Sequence, residues 1–388
     1  AGDADSDIGI ILQGGLYNGV MRALAQLGLA DDFGNSRIPL YVMNVTYPLV
    51  PDEIADFCRD RKAVLMVEEG QPAFIEQAID SLLRKGGIGC EVIGKAALPE
   101  AGEYTGEVLV KGLLAFLEGV MARPADLEAA GRRVDQLLAG RRRATAAQPP
   151  LPPRPPGFCT GCPERPLFSA LKLVQRETGE THIASDIGCN TFATLPPFNM
   201  GNTVLGYGLS LSSASAVGPN FDKPVITVMG DGGFWHNGLL TGVGNAVFNR
   251  SEGVLVVVDN GYSAATGGQY IPSTGRNFKN QATPQTIPEA LRAMGVTWQR
   301  RVNSYDMGKM RRSLKEALAA SGKGLRVIIS EGECMLNRQR RVKRQNKALL
   351  AAGRRVHQPQ FGVDASVCTG DRSCIRLSGC PSLTIAPS

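Results

Sequence analysis

Two groups of residues in this 388-residue sequence have the types and spacing to do chemistry. The first is Val225-Ile226-Thr227-Val228-Met229-Gly230-Asp231-Gly232-Gly233, an apolar strand pattern running straight into Gly-Asp-Gly, with a second apolar run, Val254–Val258, ending in Asp259-Asn260-Gly261. If the two runs are the strands of one βαβ unit, both end at the same sheet edge, and Asp231 and Asn260, 29 positions apart, meet there. A carboxylate, an amide oxygen and a backbone carbonyl suit a hard divalent cation such as Mg²⁺. The glycines let the backbone approach a diphosphate. Gly-Asp-Gly alone reads more readily as an ordinary strand–turn–helix in which Asp231 caps the helix. The Asn260 partner and the loop Asn260-Gly261-Tyr262-Ser263-Ala264-Ala265-Thr266-Gly267-Gly268-Gln269 favour the ligand reading.

The second group is cysteine. Cys159-Thr160-Gly161-Cys162 is a C-x₂-C; Cys189 lies in Asp186-Ile187-Gly188-Cys189 and Cys334 in Glu331-Gly332-Glu333-Cys334, both just past expected strand ends. Four thiolates on one edge make either a Cys₄ zinc site or a cubane cluster, and spacing alone favours zinc. Cys368, Cys374 and Cys380-Pro381 form a further set near the chain's end, with Asp371 where a ferredoxin-like C-x₂-C-x₂-C pattern has its second cysteine. That set admits three readings: a three-iron cluster, a four-iron cluster completed by Asp371 or an outside ligand, or a remnant that binds nothing.

The elements that must position these residues are those of an α/β protein. In the first 143 residues, strand signals at Ile8–Leu12, Pro39–Val45, Ala63–Val67 and Cys90–Ile93 alternate with helical spacing, and helices over Gly106–Leu117 and Pro124–Leu138 follow. Six of the eight residues from Pro149 to Pro156 are proline, so a stiff linker over 144–156 is expected. A second α/β region, 157–350, has strands near Thr181–Ser185, Pro224–Met229, Gly253–Val258, Val296–Arg301 and Leu325–Ser330, with helices near Pro163–Thr178, His236–Phe248, Ile287–Met294 and Tyr305–Ala320. Residues 351–388 form a Cys-rich tail.

Gly-Asp-Gly followed about thirty residues later by Asn resembles the motif of the thiamine-diphosphate enzymes. The stretch Asp259–Gln269 is similar to the Asp-Asn…Tyr…Thr-Gly-Gly-Gln loop of the 2-oxoacid:ferredoxin oxidoreductases within that group. Thr46-Tyr47-Pro48-Leu49 and Val67-Glu68-Glu69-Gly70-Gln71-Pro72 resemble the transketolase-C-terminal-like domain that precedes the cofactor domain in the indolepyruvate (arylpyruvate) branch. The resemblance implies that Asp231, Asn260 and the Tyr262 carbonyl bind Mg²⁺, with Gly230, Gly232 and Thr266 near the thiamine diphosphate. It turns the reading of Cys159, Cys162, Cys189 and Cys334 from zinc to a [4Fe–4S] cluster, and makes Cys368, Cys374, Cys380 and Asp371 a second cluster site. The activity implied is oxidative decarboxylation of an aryl 2-oxoacid to the acyl-coenzyme A, with electrons passing to ferredoxin. The activating glutamate is expected on a pyrimidine-binding domain preceding residue 1, and a small partner subunit and an oligomer are expected too. His236 is a candidate proton shuttle or a helix-start histidine with a structural bond; His182 reads as structural.

Composition bounds the alternatives. With 43% hydrophobic and 20% charged residues the chain buries a core, and its net charge of +6 does not itself call for nucleic acid. No apolar run approaches the ~20 residues of a membrane span. The acidic start lacks a signal peptide's features, so a cytoplasmic setting and reduced cysteines are expected, in a processed chain or a segment of something longer. The basic run Arg338–Lys347 is a solvated helix face or a dock for an acidic electron acceptor. Two rivals remain: a non-redox thiamine-diphosphate decarboxylase or synthase, which has no use for four cysteines, and a zinc-stapled scaffold without activity.

Overall fold

The computed structural model describes residues 7–120, 124–150, 156–320, 322–358 and 362–383. The chain divides into two compact units, Ala1–Pro153 and Arg154–Ser388.

In the first unit β1 (Ile8–Gln13), α1 (Tyr17–Leu27), β2 (Leu40–Met43), α2 (Pro51–Cys58), β3 (Ala63–Val67), α3 (Phe74–Lys85) and β4 (Glu91–Ile93) alternate, and α4 (Gly106–Val120) and α5 (Pro124–Ala146) close it. Its sheet is parallel, in the order β2-β1-β3-β4, with Ile10 opposite both Leu40 and Leu65. Strand β3, Ala-Val-Leu-Met-Val, is buried at every residue, as a parallel strand covered on both faces must be. Its side chains alternate between two cores, Ala63, Leu65 and Val67 toward α1 and α4, Val64 and Met66 toward α2 and α3. Helix α2 begins with Pro51 and the acids Asp52 and Glu53, as the helix dipole prefers.

One boundary differs from expectation. Helix α5 runs on to Ala146, past Leu138 and three residues into the stretch read as linker. Arg141, Arg142 and Arg143 are polar but good helix formers, and polarity without Gly or Pro does not end a helix. Of the proline run, residues 151–155 lie outside the described residues; 147–150 and 156–157 are exposed.

The second unit contains α6 (Glu164–Thr178), β5 (Ile183–Ser185), β6 (Thr203–Val204), α7 (Ser210–Val217) and β7 (Ile226–Gly230). Next comes α8 (231–248), made of Asp231–Gly233, a π-helical stretch Phe234–Gly244 and Asn245–Phe248. It continues through β8 (Gly253–Asp259), α9 (Ile287–Ala293), β9 (Trp298–Asn303), α10 (Met307–Ala319), β10 (Leu325–Glu331), α11 (Met335–Ala351) and α12 (Ser373–Ser378). The six-stranded sheet is parallel, in the order β6-β5-β7-β8-β10-β9. Strand order reverses between β5 and β7: the chain leaves β5 toward β6 on one side and leaves β7 toward β8 on the other. In open α/β sheets such a reversal opens a crevice at the carboxyl ends of the strands. The register sets that edge level, with Ser185 opposite Val228, Gly230 opposite Val258 and Asp259 opposite Glu331.

Short β6 and Ser-rich α7 are elements without a counterpart in the sequence reading. Two residues carry no alternation, and Ser-Leu-Ser-Ser-Ala-Ser-Ala-Val has little amphipathic contrast. The helix expected from His236 begins five residues earlier, at Asp231 itself.

Candidate functional site

The crevice is built from the turns that follow β5, β7 and β8. Asp231 is the first residue after β7 and is fully buried. Its Oδ2 accepts the N–H groups of Asn260 (3.1 Å) and Gly261 (2.7 Å), and its Oδ1 accepts that of Gly232 (2.9 Å). One carboxylate therefore ties the Gly-Asp-Gly turn to the turn after β8, the juxtaposition expected of Asp231 and Asn260. Burial pushes the Asp231 carboxyl well above the usual range, and the neighbouring Asp259 raises it further. A buried carboxyl beside a half-buried one makes a site where a cation offsets what burial costs.

The backbone of this turn leaves no room for side chains. A Cβ on Gly232 would stand 2.2 Å from the Tyr207 hydroxyl and 3.1 Å from the Ser263 Cα. Gly208, at φ +79°, lies so close to α8 that a Cβ would meet the Gly233 carbonyl oxygen at 2.6 Å. Asp186, after β5, fixes this approach: both carboxylate oxygens accept the Gly208 N–H at 2.9 Å, and burial pushes the carboxyl up to about 6.

Beyond Asn260 the loop closes on itself. Asn260 Oδ1 accepts the Tyr262 N–H (3.2 Å), and Ser263 donates its N–H to the Gln269 carbonyl (3.1 Å). Ser263, Ala264 and Ala265 line the crevice with Gly188, Cys189 and Asp231. Thr266 is not among the lining residues: it is exposed, its hydroxyl donating to Gln269 Oε1 at 2.7 Å. His236 is exposed on α8 against Tyr207, ring centroids 5.2 Å apart, while His182 bonds Thr203 through Nε2 (3.2 Å) and stacks on Phe221.

Of the four central cysteines Cys189 lines the crevice, and Cys334 is tied by its backbone to the Asn260 turn. The Cys162 N–H donates to the Cys159 carbonyl (3.1 Å), closing the C-x₂-C turn, and the Cys334 N–H donates to the Asn260 carbonyl (3.0 Å). Burial raises the Cys162 and Cys189 thiols far above their ordinary value; the charge of Glu164 comes next, with smaller effects from neighbouring cysteines, Cys159 on both and Cys334 on Cys189. Among the described residues, no group of three or more His, Cys, Asp or Glu side chains is gathered into a ready-made metal cage. In the tail, Cys368 and Cys374 are exposed and Cys380 half-buried, and Asp371 is spent at the start of α12, accepting from the Ser373 N–H (3.0 Å) and hydroxyl (2.6 Å).

Sequence reasoning passed over Glu164. It is fully buried between the C-x₂-C turn and the crevice, burial pushing its carboxyl up to about 8. With the Asn190 amide turned to satisfy its neighbours, that amide donates to Glu164 Oε2 (2.8 Å) and accepts the Gly230 N–H (3.0 Å). The signal was a Glu-Arg pair opening a helix whose next residues, Leu167, Phe168, Ala170 and Leu171, are all core.

Residues 186–330 match the C-terminal TPP-binding domain of the thiamine pyrophosphate enzymes. Over 98% of its length the chain is similar to proteins named indolepyruvate oxidoreductase subunit IorA. Identity is 30% to that of Pyrococcus horikoshii, of which it covers 56%, and 29% to that of Methanothermobacter marburgensis, of which it covers 55%. The chain thus spans about half the length of these relatives. A solved 2-oxoglutarate:ferredoxin oxidoreductase from Magnetococcus marinus aligns over 47% of this chain and 66% of its own at 19% identity, with a TM-score of 0.41, a likeness too loose to build on.

Proposed function

We propose that this chain, similar to the indolepyruvate oxidoreductase subunits IorA over 98% of its length and matching a thiamine pyrophosphate-binding domain at residues 186–330, is the cofactor-holding part of an aryl 2-oxoacid:ferredoxin oxidoreductase. The observation that supports this best is the meeting of Asp231, the Asn260 turn and Cys189 in one crevice at the strand-order reversal. In this reading Asp231, Asn260 and the Tyr262 carbonyl hold Mg²⁺, and the backbone of Gly230–Gly233, with Ser263 beside it, receives the diphosphate. The donor set fits: the oxygens are hard, the carboxylate is buried, and the glycines leave a cradle that one Cβ would fill. Bound there, thiamine diphosphate supplies the electron sink that lets a 2-oxoacid lose CO₂.

Cys159, Cys162, Cys189 and Cys334 are proposed to hold a [4Fe–4S] cluster that takes electrons one at a time. Cys189 lines the crevice, the Cys162 N–H closes the C-x₂-C turn on the Cys159 carbonyl, and Cys334 is tied to the Asn260 turn, which supports this reading. Cys368, Cys374 and Cys380 are proposed as a second cluster site, with an outside fourth ligand, since Asp371 is engaged in its own helix turn. A pyrimidine-binding domain with the activating glutamate, a small subunit, coenzyme A and ferredoxin complete the activity.

Iron, zinc and acid-labile sulfide per chain test this on anaerobically purified protein. About eight irons with equal sulfide are expected, four if the tail is empty. Zinc without sulfide ends the oxidoreductase reading.

A further inference from the structure

The residue after Glu164 joins two parts of the second unit that are far apart in sequence. Arg165 is only 8% exposed, and its guanidinium is spent on backbone carbonyls. On one side Nε donates to the Cys159 carbonyl (3.1 Å) and Nη2 to that of Phe158, while the group lies over the Phe158 ring. On the other side Nη1 donates to the carbonyls of Gly379 (2.7 Å) and Ser378, at the carboxyl end of α12. These are carbonyls a helix leaves unpartnered at its end, and a planar fork with donors on both sides can serve two chain segments at once. Two further contacts seat the same segment: the Thr160 and Ser382 hydroxyls lie 3.0 Å apart, and Gly379, at φ +55°, packs where a Cβ would stand 2.7 Å from Pro197. Gly379 directly precedes Cys380, so the bond from Arg165 to its carbonyl ties the backbone at that cysteine to the residue that also holds the C-x₂-C turn.

We propose that Arg165 is a positioning residue that clamps the tail to the C-x₂-C turn, so that Cys380 is held against the Cys159–Cys162 group rather than carried on a free arm. The clamp itself rests on backbone geometry; its meaning for electron transfer rests on the cluster reading above. If both cysteine groups hold clusters, the clamp would keep their ligands in a constant mutual position, which is what one-electron transfer between two such groups would require.

The test uses the full chain, anaerobically purified, as wild type, Arg165→Lys and Gly379→Ala. The lysine keeps length and charge but cannot fork; the alanine disturbs the tail side and leaves α6 untouched. Hydrogen exchange of the amides from Ile375 to Gly379 is read beside the electron paramagnetic resonance spectrum of the reduced protein. Exchange at least tenfold faster in both variants, unchanged exchange in β7 and β8, and loss of a spin–spin splitting present in wild type are the expected results. Wild-type exchange rates in both variants overturn the clamp. A splitting that survives in the variants, or is missing from wild type loaded with both clusters, overturns the positioning role. A wild-type chain free of iron sinks the cluster reading instead, and the exchange comparison then decides the clamp alone.

Discussion

At the scale of single residues, Asp231 does two jobs that substitution can separate. It holds the Asn260 turn by hydrogen bonds, and it offers a buried charge to a cation. Asn at 231 keeps an acceptor for those amides but has no charge. Asp231→Asn is therefore expected to leave a folded chain whose affinity for thiamine diphosphate with Mg²⁺ falls at least a hundredfold, read by quenching of the intrinsic tryptophan fluorescence; undiminished affinity removes Asp231 from the site. Gly232→Ala is expected to abolish the same binding with little loss of stability, because its methyl group meets Tyr207 and Ser263 at the crevice rather than core. Asp186 sets a pH dependence. Its carboxyl stands at about 6 when folded against 3.8 as the reference, so the folded chain binds the extra proton and its contribution to stability falls as pH rises between those values. A shift of that size corresponds to roughly 3 kcal/mol. Denaturant midpoints between pH 4 and 7 should fall with this slope in the wild type, and the fall should be smaller in Asp186→Asn by the share of that one carboxyl.

At the scale of elements, strands buried on both faces were the easiest to read from sequence. Val-Leu-Val-Val-Val in β8 and Ala-Val-Leu-Met-Val in β3 have no periodicity, but length and β-branching mark them, and the residues at their carboxyl ends follow. Asp231 and Asn260 were legible for that reason: each directly follows such a strand. What stayed hidden was carried by tertiary contact. Strand β6 exists because Ser185 and Ala184 offer it an edge, and Glu164 and Arg165 look like an ordinary solvated pair opening a helix until the core closes over them. Helix α11 shows the opposite case, a run read correctly as charged. It carries six basic residues, no acid and no buried residue, and Arg340/Arg344 and Lys343/Lys347 repel at i,i+4. A helix that repels itself gains from an acidic partner. Reversing Lys343, Arg344 and Lys347 to Glu should weaken binding of an acidic ferredoxin at least tenfold and flatten its salt dependence, without loss of helical circular dichroism. Equal loss of binding to single-stranded DNA would assign the helix to polyanions in general.

At the scale of the whole molecule, each unit has its own parallel sheet and its own cores on both faces of that sheet. The chain spans about half the length of the relatives it matches, and the one glutamate among the residues lining the crevice, the buried Glu164, stands beside the cysteines. The isolated chain is accordingly expected to bind thiamine diphosphate without speeding deuterium exchange at its C2 carbon. Exchange as fast as in a complete enzyme would place the activating group on this chain. Among the described residues, no helix is long and apolar enough to cross a membrane.

All six strands of the second sheet point the same way, which leaves its opposite rim open to the experimenter. Asp222, in the exposed turn that leads into β7, is separated from Asp231 by eight residues, the last five of them that strand, which alone spans about 17 Å of extended chain. A fluorophore attached there through a genetically encoded handle that does not react with thiols stands outside the crevice and within energy-transfer range of a labelled nucleotide-like ligand inside it. The fold thus offers an optical gauge of occupancy that leaves every proposed ligand untouched.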